Sequence, residues 1–170
     1  MEKFSQVLDL CTSYNIPVTV HAGEWPNCVH NVKEAIKYSC VERIGHAVAL
    51  QNEQILMDLI AASKAISIEC CLTANVGKKV KSYQVHPIRD MFRSGIPVTL
   101  NCDNLLLSGD LRRQPNPTGE IIHLLEDVKM DIVALREMLI DGVRHSFDKT
   151  IEKGWLDSFI EDVDSILSMH

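Results

Sequence analysis

The chain has 170 residues, with 17 Lys+Arg against 23 Asp+Glu for a formal charge of −6; 46% are hydrophobic and 24% charged. That globular mix, long enough to bury a core, excludes a disordered or fibrous chain. The acidic balance excludes general affinity for nucleic acid, no apolar run approaches the ~20 residues of a membrane span, and polar residues interrupt the N-terminal stretch where a signal peptide keeps its apolar segment.

Residues 16–20 form a compact β-branched run, and residues 29–39 follow with Val29, Val32, Ala35 and Ile36 at helical spacing. A brief second strand at 43–47 precedes an amphipathic segment at 52–62, and 66–70 reads as a third strand. After a loop at 72–85, residues 87–94 read as a helix stopped by Gly95, and 96–100 make a fourth strand. Beyond Gly119 the chain is helical, over 120–128, 132–147 and 157–169. With no linker or low-complexity tract, residues 1–170 are expected to form a single domain.

Strands separated by helices imply crossover connections and a parallel sheet, so the fold class is α/β. Four such strands suit an open doubly wound sheet or half of a (β/α)8 TIM-type barrel. Neither G-x-G-x-x-G nor G-x-x-x-x-G-K-[ST] occurs, which weakens the open nucleotide-binding sheet. His21, His46, Glu69 and Asp103 fall at or just after the C-terminal ends of the four strands, the face where barrels carry active sites. That placement selects the half-barrel.

His21-Ala22-Gly23-Glu24 puts an imidazole and a carboxyl group three residues apart across a glycine that lets the backbone turn. Neutral imidazole suits zinc, and a neighbouring carboxyl group can give or take a proton. Each feature alone also has a structural reading: His21 or His46 as a satisfied histidine, Asp103 as an Asx turn or helix cap. Two imidazoles and two carboxylates on successive strand ends converge, however, and convergence favours a metal hydrolase. The cysteines at 11, 28, 40, 70, 71 and 102 include no C-x-x-C pair, so they read as reduced, packed thiols in a cytoplasmic protein. His30, His123, His145 and His170 read as surface or structural, and His86, before Pro87, as architectural. Trp25 and residues 105–107 flank the expected mouth of the site.

The segments T-V-H-A-G-E (19–24), R-I-G-H (43–46), C-L-T-A-N (71–75), His86-Pro87 and T-L-N-C-D-N (99–104) resemble the adenosine deaminase family in order and spacing. The resemblance runs from about Asn15 to Phe147. It implies the C-terminal half of a barrel, strands five to eight with crossover helices and a helical C-terminus, and one zinc ion per complete site. It assigns His21 and Asp103 as zinc ligands, with Asp103 also holding the attacking water. Glu24 becomes the acid that protonates purine N1, a role that asks for a raised carboxyl pKa. His46 positions that water and helps deprotonate it, while Gly23 and Asn104 contact substrate. The implied reaction turns adenosine, or a related purine nucleoside, into inosine and ammonia.

Two departures accompany the resemblance. No H-x-H pair, the family's two further zinc ligands, occurs in the sequence, and Asn104 stands where the family has a second Asp. The first leads to the expectation that the chain self-associates or binds a missing N-terminal half, and does not deaminate alone. The second points to an altered purine or a modified adenosine as substrate. A non-catalytic assembly subunit is the reading from a different class.

Overall fold

Short β-branched runs become strands and periodic segments become helices, in alternation, in the computed structural model, which describes residues 4–104 and 116–168. In chain order these are α1 (Ser5–Ser13), β1 (Val18–Ala22), α2 (Val29–Ala35), β2 (Val41–His46), α3 (Gln54–Ser63), β3 (Ser67–Cys70), α4 (Leu72–Asn75), α5 (Ile88–Arg93), β4 (Val98–Leu100), α6 (Pro117–Ile122), α7 (Ile132–Arg144) and α8 (Lys153–Leu167). Strand β1 starts two residues later than the sequence pattern suggests. Pro17 has no N–H to donate, and pairing begins when the Val18 N–H donates to Cys40 O at 2.8 Å. Helix α8 starts earlier than residue 157, because Gly154 and Trp155 hide its first turn from an apolar-periodicity reading. The loop at 72–85 contains α4 and a 3-10 turn at Tyr83–Val85. The helix expected over 120–128 is α6 followed by a π-helical turn, His123–Asp127. Gly95 terminates α5 with φ +80°, the left-handed conformation the sequence requires of it.

All four strands are parallel and lie in the order β1-β2-β3-β4. Val20 pairs with Ile44, Ile44 with Ile68, and Ile68 with Val98. Ile44, Ile68 and Val98 are fully buried in the same core as Val32, Ile60, Ile88, Met91 and Met138 from the helices. Side chains alternate along a strand, so the opposite face carries Thr19, Arg43, Glu69 and Thr99. There the Thr19 hydroxyl donates to Glu69 Oε2 at 2.7 Å, and Arg43 Nε lies 3.2 Å from Glu69 Oε1. The Arg43 guanidinium also stacks 3.9 Å over the Phe147 ring. This polar face is partly open, with Thr19 and His21 exposed, and β1 and β4 are the two edges of the sheet. Among the described residues, no helix is long and apolar enough to cross a membrane.

Candidate active site

The C-terminal ends of β1 and β2 bring the first two motifs together. His21 lies opposite Gly45, and Ala22 opposite His46, in the parallel register. A Cβ on Gly45 would sit 3.4 Å from His21 Nδ1, so that glycine leaves room for the His21 ring. The His21 and His46 rings then meet edge to face, with centroids 4.9 Å apart. Gly23, at φ +69°, turns the chain out of β1, and a Cβ there would be 2.6 Å from Val32 Cγ2. Its carbonyl accepts from the Ala49 N–H at 2.8 Å, which ties the loop after β1 to the loop after β2. Glu24 is delivered over the sheet end by that turn. His46 itself has φ 68°, uncommon for a residue with a side chain, and is almost wholly buried.

His46 Nε2 lies 3.8 Å from Glu24 Oε1 and 3.9 Å from Asp103 Oδ2. One ligand atom from each of Glu24, His46 and Asp103 falls within 4.8 Å of the others, a group able to hold a metal ion. Imidazole nitrogen and carboxylate oxygens are donors that suit zinc and similar divalent cations, and His21 stands beside the group. Asp103 and Asn104 follow β4 outside any helix or strand, with Asn104 exposed. Residues 105–107, expected at the mouth, lie outside the described residues.

Glu69 is not part of this cluster. Its carboxylate is taken up by Thr19 and Arg43 within the sheet face, and Glu24 supplies the second carboxylate instead.

A second correction concerns charge. The N1-protonating role asks for a raised Glu24 pKa, but the carboxyl is held below its usual range. Burial pushes it up; the hydrogen bond from Lys79 and the charges of His46, Lys79 and His21 together outweigh that push. Lys79 Nζ donates to Glu24 Oε1 and to Ala74 O at 3.2 Å, and sits 5.7 Å from the Trp25 ring centroid. Burial lowers the His46 pKa, against the opposing pull of Glu24 and Asp103. Cys70 and Cys71 are free; burial raises the first thiol pKa far above its usual value and the second to about 12, so both stay protonated, packed thiols.

Three buried or nearly buried side chains around the site, Lys79, Asn75 and His86, are given no site role by the motifs. Asn75 and His86 belong to segments that carry the family resemblance, whereas nothing in the local pattern around Lys79 singles it out.

The profile of the adenosine deaminase family matches residues 1–163. The chain belongs to the adenosine deaminase family. It is 32% identical over 162 residues to the adenosine deaminase of Clostridium botulinum strain Okra, covering 95% of this chain and 46% of that protein. To the adenosine deaminase of Plasmodium cynomolgi strain B it is 30% identical over 166 residues, covering 95% of this chain and 42% of the relative. The chain thus spans about half the length of the curated relatives it matches. A Zn-bound amidohydrolase from Burkholderia ambifaria superposes with a TM-score of 0.82 at 19% identity, over 99% of this chain and 47% of that one. An adenine deaminase from Arthrobacter aurescens gives 0.75 at 18% identity, over 98% and 48%. These likenesses make the fold that of about half an amidohydrolase barrel. Membership places the chain in a family of hydrolases, with His21-Ala22-Gly23-Glu24 and Arg43-Ile44-Gly45-His46 at adjoining strand ends.

Proposed function

We propose that this chain is the site-bearing half of a zinc-dependent deaminase that converts adenosine and water into inosine and ammonia. The observation that carries the reading is the gathering of Glu24, His46 and Asp103 within 4.8 Å at the C-terminal ends of β1, β2 and β4 of an adenosine deaminase family chain. His21 and Asp103 would hold the zinc, whose Lewis acidity makes water a nucleophile near neutral pH. Glu24 delivers a proton to purine N1, which makes C6 electrophilic. His46 positions the attacking water beside Asp103. The Gly23 turn and the Asn104 amide contact the purine, the amide as a donor toward N7. Lys79 must withdraw from Glu24 before that carboxyl can carry a proton.

Residues 1–170 act as one domain in this reading, and a complementary half closes the barrel. A second copy of the chain, another polypeptide or further residues of the same protein can fill that role. The exposed Thr19 and His21 and the free edges of β1 and β4 support the need for such a partner. A protein working on a purine nucleoside in the cytoplasm, without nucleic acid or membrane, fits the acidic composition.

The test is ammonia release from adenosine, with zinc, by the purified chain alone and mixed with the N-terminal half of the Clostridium relative. Release by the mixture that falls at least about 10²-fold in Glu24→Gln supports the proposal. Absence of release in both samples, or release indifferent to Glu24→Gln, overturns it. Asn104 favours one variant of the reading, a modified adenosine as substrate; release from an N6-methylated nucleoside but not from adenosine would select it.

A further inference from the structure

Behind the cluster lies a chain of buried polar groups whose direction can be read from one fixed end. The Ile88 backbone N–H is a donor in every protonation state, and it donates to His86 Nδ1 at 3.1 Å. His86 Nδ1 therefore carries a lone pair, and the proton of the neutral ring sits on Nε2. That N–H faces Asn75 Oδ1 at 3.1 Å. With its oxygen engaged, Asn75 turns its NH2 group the other way, and Nδ2 lies 3.1 Å from His46 Nδ1. His46 Nδ1 is then an acceptor as well. Its proton belongs on Nε2, the nitrogen that looks toward Glu24 and Asp103.

No link in this chain can be reversed alone. Flipping the Asn75 amide sets its NH2 against the His86 Nε2–H. Moving the His86 proton to Nδ1 sets it against the Ile88 N–H, which has no alternative state. Asn75 is 0% exposed, His86 3% and His46 1%, so water cannot relieve such a mismatch.

We infer that Asn75 and His86 are positioning residues that lock His46 as its Nε2–H tautomer, making it a hydrogen-bond donor to an oxygen held between Glu24 and Asp103. In this state His46 has no lone pair facing the site. Although its Nε2 sits at metal-ligating distance from the two carboxylates, His46 in this state is neither a metal ligand nor the base that deprotonates the attacking water; of the three gathered groups only Glu24 and Asp103 keep lone pairs for a metal or a proton. The use of that donor in deamination rests on the function proposed above; the tautomer itself does not.

Long-range 1H–15N NMR of the 15N-labelled, metal-free chain at neutral pH reads the tautomer directly. We expect pyrrole-type shifts at Nε2 and pyridine-type shifts at Nδ1 for both His46 and His86. Asn75→Asp replaces the NH2 donor with an oxygen of the same size, so the His46 proton should move to Nδ1 while His86 keeps its pattern. Addition of zinc to the wild-type chain should leave the His46 Nε2–H in place. A wild-type His46 protonated on Nδ1 overturns the inference. So does a folded Asn75→Asp protein with an unchanged His46, or loss of the Nε2–H on zinc addition. If Asn75→Asp does not fold, the wild-type pattern with and without zinc decides alone. These shifts are independent of turnover, so failure of the deaminase reading and failure of this inference are distinguishable.

Discussion

His86 should make this protein acid-sensitive by a calculable amount. Its pKa falls from 6.5 to about 3, first because burial disfavours the charged ring and then because His46 lies nearby. A depressed folded-state pKa means that the unfolded chain binds the extra proton, so the contribution is complete above pH 6.5 and is lost as the pH falls toward 3. Between pH 7 and pH 5 an unfolded imidazole goes from about a quarter protonated to nearly full protonation, while folded His86 stays neutral. The linkage over that interval is about 2 kcal/mol, a large part of a typical domain's stability. Urea unfolding of wild type and His86→Gln at both pH values measures it. Glutamine lacks the titration but keeps a donor for Asn75. His46 and His145, whose pKa values burial also lowers, remain in both proteins, so the difference between them isolates His86. Wild type should lose about 2 kcal/mol more than His86→Gln on going from pH 7 to pH 5. Equal losses would refute the reasoning, because they would mean that His86 is protonated in the folded state.

Other predictions address the site and its frame. In a competent assembly, Glu24→Gln should reduce kcat about 10²–10⁴-fold with a smaller effect on KM, which steady-state kinetics will read; a near-normal kcat removes Glu24 from the acid role. Gly23→Ala should destabilise the fold by about 2–5 kcal/mol, from the left-handed φ and the 2.6 Å approach to Val32, measured by denaturant unfolding. Lys79→Met should raise the Glu24 pKa, seen as an upward-shifted carboxyl titration in 13C NMR; an unchanged titration would show that the ion pair does not govern that group. His21→Ala should abolish zinc binding by the assembled protein in a calorimetric titration, and retained affinity would assign the metal to other ligands.

Lys79 gives Glu24 a resting charge state different from the one that the proposed acid role requires. Its ammonium is nearly buried, binds Glu24 and a backbone carbonyl, and lies 5.7 Å from the centroid of the Trp25 ring. An acid in catalysis must carry its proton, whereas this arrangement stabilises the carboxylate. In the proposed reaction, protonation of Glu24 would therefore require Lys79 to move, and that coupling can be probed separately from metal binding.

The alternation of β-branched runs with helical periodicity was legible in the sequence, because strand and helix spacing are properties of neighbouring residues. Gly23 and Gly95 could be read the same way, since a sharp exit from a strand and a helix stop both call for positive φ. That His46 and Asp103 would meet was legible because both follow apolar runs and parallel strands put their C-terminal ends on one side; His21 lies beside them, its ring against that of His46. The H-A-G-E pattern also pointed to Glu24, whereas the exclusion of Glu69, another polar residue at a strand end, was decided by the tertiary structure. Glu69 lies within β3, where the sheet register sets it among Thr19 and Arg43, while Glu24 lies beyond the end of β1, where the Gly23 turn carries it over the strand ends. The Lys79–Glu24 pair joins residues 55 positions apart, and the path from Ile88 through His86 and Asn75 to His46 crosses 29 residues at its last step. Periodicity holds no record of such pairings, because they depend on how far each crossover brings one strand end toward the next. A proton's place on His46 is settled by a backbone N–H at the start of α5, and only the folded chain brings the two within reach.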